Sequence, residues 1–85
     1  MAEQAIRITL FGTSACHLCD LAAAMLHQAS AAFPGLAIIE TDISESDALF
    51  ERYGLVIPVI QDSHGNELGW PFTDEELCRF LQQQE

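Results

Sequence analysis

Apolar and polar residues alternate along AIRITLF, positions 5–11, where Ile6, Ile8 and Leu10 are separated by Arg7 and Thr9. A period of two predicts a β-strand with one buried face. After the short stretch GTSA the spacing changes. From His17 to Phe33, Leu18, Leu21, Ala22, Met25, Ala29 and Ala32 recur at helical intervals on one stripe, and Pro34-Gly35 ends the pattern. LAIIETD, positions 36–42, predicts a second short strand. SESDALFERYG predicts a second helix, with Ser44 as its cap, Glu45 and Asp47 at the positive end of its dipole, and Gly54 in a left-handed C-terminal position. IPVIQD and NELGW flank the turn Ser63-His64-Gly65-Asn66 and read as a hairpin. In FTDEELCRFLQQ, Thr73 with Glu76 forms a capping box and Phe72 with Leu77 a hydrophobic staple, so a last helix follows.

The element order is therefore β-α-β-α-β-β-α. Two strands joined by a helix of this length are parallel with a right-handed crossover, and the hairpin adds an antiparallel pair. The expected architecture is α/β, a four-stranded mixed sheet with helices on both faces. The 85 residues make a single domain, 1–85, with no repeat, linker or low-complexity segment. A chain of this size buries a little over ~60% of its unfolded surface, enough for one modest core.

Charge narrows the possible partners. The formal net charge is −10, with Arg7, Arg52 and Arg79 as the permanent cations and no lysine. Counterion release needs clustered Lys and Arg, so nucleic acid is excluded as a partner, and an anionic membrane surface is disfavoured on the same ground. No apolar run approaches the roughly 18 residues that span a bilayer. MAEQAIRITLF lacks the basic and long apolar regions of a signal peptide. The expected compartment is the cytoplasm, and a monomer is the default for this size.

Chemistry concentrates in SACHLCD, where Cys16 and Cys19 are spaced C-x-x-C. Three readings are open: half of a metal site, a structural disulfide, or a redox couple. Zinc needs two further ligands. Cys78, His17, His27 and His64 are available, but there is no second C-x-x-C or C-x-x-H. Structural disulfides are uncommon in the cytoplasm. Cys78, between Leu77 and the apolar positions Phe80 and Leu81, reads as core, and His27 and His64 as surface residues.

A strand followed by C-x-x-C at the opening of the first helix of a βαβ unit is the signature of a thioredoxin-like redox motif. Ile57-Pro58-Val59, at the start of the third strand, supplies the second half of the likeness. The chain resembles a glutaredoxin, and more narrowly the small bacterial glutaredoxin-like proteins. That resemblance implies a thioredoxin-like fold, a cis peptide bond at Pro58 beside the cysteine pair, and Ile57 backbone groups offered to an extended substrate. It places Trp70 on a loop bordering the active site, as groove lining or as packing against the sheet edge. The substrate-contacting set is then His17, Leu18, Ile57, Pro58 and Trp70.

The chain also departs from the family pattern. Its motif is Cys16-His17-Leu18-Cys19 where glutaredoxins usually show C-P-Y-C. Phe11 to Ala15 carry no cation, Ile57 precedes the proline, and the last loop reads Gly69-Trp70-Pro71-Phe72-Thr73-Asp74. A chain at −10 without lysine has little to hold the carboxylates of glutathione.

Cys16 precedes the first helical turn, where unpaired N–H groups and the helix dipole favour an anion. It is the expected nucleophile, with His17 adding stabilisation when protonated. Cys19, one turn further in, is the expected resolving thiol. The activity implied is dithiol–disulfide exchange on a protein or low-molecular-weight disulfide, with no metal or organic cofactor required. Glutathione or a reductase is the possible electron donor. The alternatives are an interaction module or redox sensor without turnover, and a metal-binding protein using Cys16 and Cys19.

Overall fold

In the computed structural model, which describes residues 5–84, strand β1 (Ile6–Gly12) lies inside the sheet, between β2 (Leu36–Asp42) and β3 (Val59–Gln61). Met1–Gln4 and Glu85, included in the single-domain expectation, lie outside the described residues. The sheet order is β2-β1-β3-β4, with β4 at Glu67–Gly69. β1 and β2 are parallel, and β3 pairs antiparallel with both β1 and β4. The expected four-stranded mixed α/β sheet is the one observed.

The alternation in β1 sorts its side chains between two cores. Ile6, Ile8 and Leu10 join Ala22 and Leu26 of helix α1 (His17–Ala29) and Leu77, Phe80 and Leu81 of helix α3 (Asp74–Gln82) in the larger cluster. Phe11, pointing the other way, joins Ile43, Tyr53 and Val59 in the smaller one. There the Phe11 ring stacks on that of Tyr53 at 4.4 Å, bringing helix α2 (Asp47–Tyr53) onto the opposite face. The helices thus cover both faces, α1 and α3 on one and α2 on the other.

Several local expectations shift. Helix α1 ends at Ala29 rather than Phe33, with turns through Ala32 and Phe33 hydrogen-bonded back to Ala29 O. Its buried face is Cys19, Ala22 and Leu26, whereas Leu18 and Leu21 remain 44% and 41% exposed. The face is turned from the expected stripe because Cys19, not Leu18, is the residue held over β1. Ser44 does not cap α2. It sits in a 3-10 turn, Ile43–Glu45, where the Asp42 carboxylate accepts from its N–H, and Glu45 belongs to that turn too. Ser46 is the cap, its hydroxyl accepting from Leu49 N. Gly54 has φ −55°, a right-handed value. What excludes a side chain there is space, because a Cβ would lie 2.6 Å from Phe50 O.

The C-terminal half follows expectation closely. β3 and β4 form the hairpin, and the Thr73–Glu76 capping box is complete in both directions. Phe72 and Leu77 meet in the larger core. Asp62, not singled out in the sequence, organises the hairpin turn. Its buried carboxylate accepts from His64 N (2.8 Å), Asn66 N (2.9 Å), Asn66 Nδ2 (3.0 Å) and Gln84 Nε2 (3.0 Å). Burial alone pushes this carboxyl up, but these hydrogen bonds outweigh it and bring its pKa down to about 2.

Candidate active site

β1 delivers the chain to Gly12, and Thr13–Ala15 turn it into α1. Ala15 makes that turn in the left-handed region, at φ 61°. Cys16 follows as the N-cap, in extended conformation. Its Sγ accepts a hydrogen bond from Cys19 N–H at 3.2 Å, and its carbonyl takes the N–H of Asp20 at 3.1 Å. The sulfur thus occupies the place of a capping oxygen, facing the positive end of α1. Cys16 and Cys19 are joined as a disulfide, their Cα atoms 5.2 Å apart. Cys16 is half-exposed, while Cys19 is 6% exposed.

The space for Cys19 is provided by Gly12. A Cβ at position 12 would meet Cys19 Sγ at 3.0 Å and Cys19 Cβ at 3.1 Å. Strand register then places the remaining groups. Gly12 stands opposite Asp42 of β2. The β1–β3 pairing ends at Phe11 with Val59, so Pro58 immediately precedes the paired residues of β3. The β3–β4 pairing, Val59 with Gly69, continues to Trp70, whose N–H donates to Pro58 O at 3.0 Å. Asp42 and Gly12 therefore stand paired at the C-terminal end of β1 with Cys19 against Gly12, while Pro58 and Trp70 flank the Val59–Gly69 pair and are joined to each other by that hydrogen bond.

Ile57–Pro58 is cis and Pro58 is fully buried. Ile57 is half-buried against the smaller core, and its N–H donates to Tyr53 O at 3.1 Å. Trp70 packs against the larger core and meets Phe72 edge to face at 5.2 Å. The peptide bond between Trp70 and Pro71 is also cis. His17 and Leu18 are exposed beside the disulfide. Cys78 is a half-buried free thiol against the larger core, and His27 and His64 are on the surface. Among the described residues, no group of three or more His, Cys, Asp and Glu side chains is placed to hold a metal ion.

Beside Cys19, between β1, β2 and α1, lies an open cavity of about 250 Å³. Asp20, Glu40 and Asp42 contribute to its wall. The backbone N–H and hydroxyl of Ser44 hold the Asp42 carboxyl below the usual carboxylate range. Neither this cavity nor the place of Gly12 beneath Cys19 is predicted by the C-x-x-C motif. The available signal was a glycine closing a strand just ahead of C-x-x-C.

A family profile described as Glutaredoxin-like domain (DUF836) matches residues 7–82. The chain belongs to this family. The X-ray structure of target protein XcR50 from X. campestris is 39% identical, with TM-score 0.78 over 89% of this chain and 96% of that one. Protein Ne2328 from Nitrosomonas europaea is 18% identical and superposes at TM-score 0.80, over 95% of this chain and 96% of that one. Oxidised thioredoxin from Plasmodium falciparum, also 18% identical, superposes at 0.67 over 93% of this chain and 80% of that one. These last two likenesses show the fold, which is thioredoxin-like. No curated protein matches the chain in sequence. As a glutaredoxin-like domain with Cys16 and Cys19 at disulfide distance, the chain fits a thiol redox role. No helix among the described residues is long and apolar enough to cross a membrane.

Proposed function

We propose that this glutaredoxin-like chain is a cytoplasmic, monomeric thiol–disulfide oxidoreductase, with Cys16 as nucleophile and Cys19 as resolving thiol. The observation that carries the reading is the asymmetry of the pair. Cys16 is half-exposed at the N-terminus of α1, with an N–H donor on its sulfur, while Cys19 is buried beneath it. The donor and the helix dipole favour the Cys16 thiolate over the thiol. In the reduced protein that thiolate attacks one sulfur of a substrate disulfide, forming a mixed disulfide and expelling the other half as a thiolate. Cys19, its proton passing to the expelled thiolate, then attacks Cys16 Sγ, closes the internal disulfide and releases the second half as a thiolate that takes a proton from solvent. Two electrons pass to the substrate, and no metal or organic cofactor takes part.

Pro58 and Trp70, bonded to each other through Trp70 N–H and Pro58 O, would border the space a substrate enters, with the exposed His17 and Leu18 on its other side. Of the Ile57 backbone groups the N–H is engaged by Tyr53, so the carbonyl is the one offered to an extended segment. Glutathione or a reductase would return the electrons. The test is trapping with a disulfide-bonded peptide. Cys19→Ser should accumulate the mixed disulfide on Cys16, and Cys16→Ser should form none. Mixed disulfide on Cys19 in the Cys16→Ser protein, at the rate of the Cys19→Ser protein, would refute the assignment of roles.

A further inference from the structure

We propose that the Cys16–Cys19 couple prefers disulfides flanked by cationic groups, with Glu40, Asp42 and Asp20 setting the preference. The inference rests on the redox reading above and names the substrate class for that same site. The cavity of about 250 Å³ has the Cys19 side chain in its wall together with Gly12, Ser14 and these three acidic residues. Cys16 lies one helical turn from Cys19, with 5.2 Å between their Cα atoms. A substrate half bonded to Cys16 therefore has its flanking arm within reach of the cavity.

The three carboxylates are not neutralised locally. Asp42 is fixed as an acceptor by Ser44 N (2.9 Å) and Ser44 Oγ (2.8 Å). Glu40 faces His27 Nε2 at 3.7 Å, a cation only when that ring is protonated. His17, exposed beside Cys16, is the other imidazole on this side. The arginines are elsewhere. Arg52 pairs with Glu67 at 3.7 Å and lies over the Tyr53 ring, Arg79 pairs with Glu75 at 3.3 Å, and Arg7 stands in β1 opposite Ala37. None of them lines the cavity. A concave site lined by one sign of charge concentrates counter-charged reactants by ~10- to 10³-fold. Within a chain at −10, an ammonium- or guanidinium-bearing disulfide is drawn to the site. An anionic one, such as glutathione disulfide with its excess of carboxylates, is repelled. Like charge brought together this way lowers the encounter rate rather than the intrinsic reactivity of the thiolate.

The chemistry is the exchange already written: reduced protein plus RSSR gives the internal disulfide plus two RSH, one proton coming from Cys19 and the other from solvent, which had taken it from Cys16. The test is single-turnover oxidation of the pre-reduced chain by cystamine, hydroxyethyl disulfide and dithiodipropionate. Each rate is divided by that of dithiothreitol with the same disulfide, which removes differences in leaving-group reactivity. The expected cystamine-to-dithiodipropionate ratio is about tenfold or more at low ionic strength. It should shrink toward one at ~0.5 M salt, where the Debye length falls well below 10 Å. Glu40→Gln should lower the ratio within one protein, so a change in thiol reactivity cancels. Disulfide-linked peptides flanked by lysine or by glutamate separate the two sources of cationic chemistry, a small amine disulfide or a basic protein segment. A ratio near one at low salt overturns the preference while leaving the oxidoreductase reading intact, as does a ratio insensitive to both salt and Glu40→Gln. Failure of all three disulfides to oxidise the pair defeats the oxidoreductase reading itself.

Discussion

Replacing Gly12 by alanine tests whether the end of β1 is shaped around the buried thiol. The new Cβ would stand 3.0 Å from Cys19 Sγ and 3.1 Å from Cys19 Cβ, where ordinary contact begins near 3.4 Å. Overpacking a well-filled interior costs typically ~1–3 kcal/mol. Alanine returns ~0.4–1 kcal/mol by restricting the unfolded chain, so the net loss should be about 1–2 kcal/mol. For a domain of this size that is a drop in Tm of about 5–10 °C. Gly69 provides the control, because a Cβ there meets nothing within 4 Å. Gly69→Ala should stay within about 0.5 kcal/mol of the parent. Both variants would be measured by urea unfolding of the oxidised protein, with slopes compared to confirm a common unfolded state. In the reduced protein Cys19 Sγ is no longer tied to Cys16, so only the contact to Sγ can relax and Gly12→Ala should lose slightly less there. If Gly12→Ala matched Gly69→Ala in the oxidised form, the close approach of Cys19 to β1 would not be what reserves this position for glycine.

Two further perturbations concern turns, one leading into α1 beside the site and one in the hairpin toward the other end of β1. Ala15 holds a left-handed φ of 61°, which costs a non-glycine residue roughly 1–2 kcal/mol. Ala15→Gly should therefore raise the urea midpoint by up to about 1 kcal/mol of stability, and Ala15→Val should lower it; equal midpoints for the two would disprove the strain. Asp62 is a carboxylate whose folded pKa lies at about 2, below its unfolded value of 3.8. A group lowered on folding adds stability that is complete above about pH 5 and disappears as pH falls through 4 toward 2. The shift corresponds to roughly 2 kcal/mol as an upper bound. Asp62→Asn should thus be less stable than the parent at pH 7 and converge with it by pH 2, as followed by thermal melts across that range. A constant gap down to pH 2 would show that geometry, not charge, is what Asp62 supplies.

Sequence periodicity made the layers legible because each strand and helix buries one face, and in β1 a period of two divides Ile6, Ile8 and Leu10 from Phe11. The capping box before α3 was legible for a similar reason, since Thr73 and Glu76 interact within one turn. Local signals failed where two candidates compete. Ser44 and Ser46 are both good caps, and the Asp42 carboxylate decided between them by taking Ser44 N–H into a 3-10 turn. The stripe on α1 holds at Ala22, Met25 and Ala29 but misses at Leu18 and Leu21, because these leucines are more hydrophobic than Cys19, the residue that is buried. The decisive contact is one that no helical pattern contains, a cysteine set over a glycine at the end of another element.

The same distinction separates the legible part of the site from the rest. Cys16 and Cys19 are close in sequence, and one helical turn suffices to bring them together. Gly12 meets Asp42, and Pro58 meets Trp70, through strand pairing alone, with no shared motif. A slip of one residue in the β1–β2 pairing would replace Asp42 opposite Gly12 with Thr41 or Ile43, changing what stands beside the thiols. Register is pinned by burial on both faces of β1, so the core that stabilises the sheet also fixes which carboxylate borders the cavity. Any charge selectivity of the couple is therefore a property of the fold as much as of the C-x-x-C. Transplanting Cys16-His17-Leu18-Cys19 into another thioredoxin-like chain would carry over the exchange chemistry but not the acidic wall.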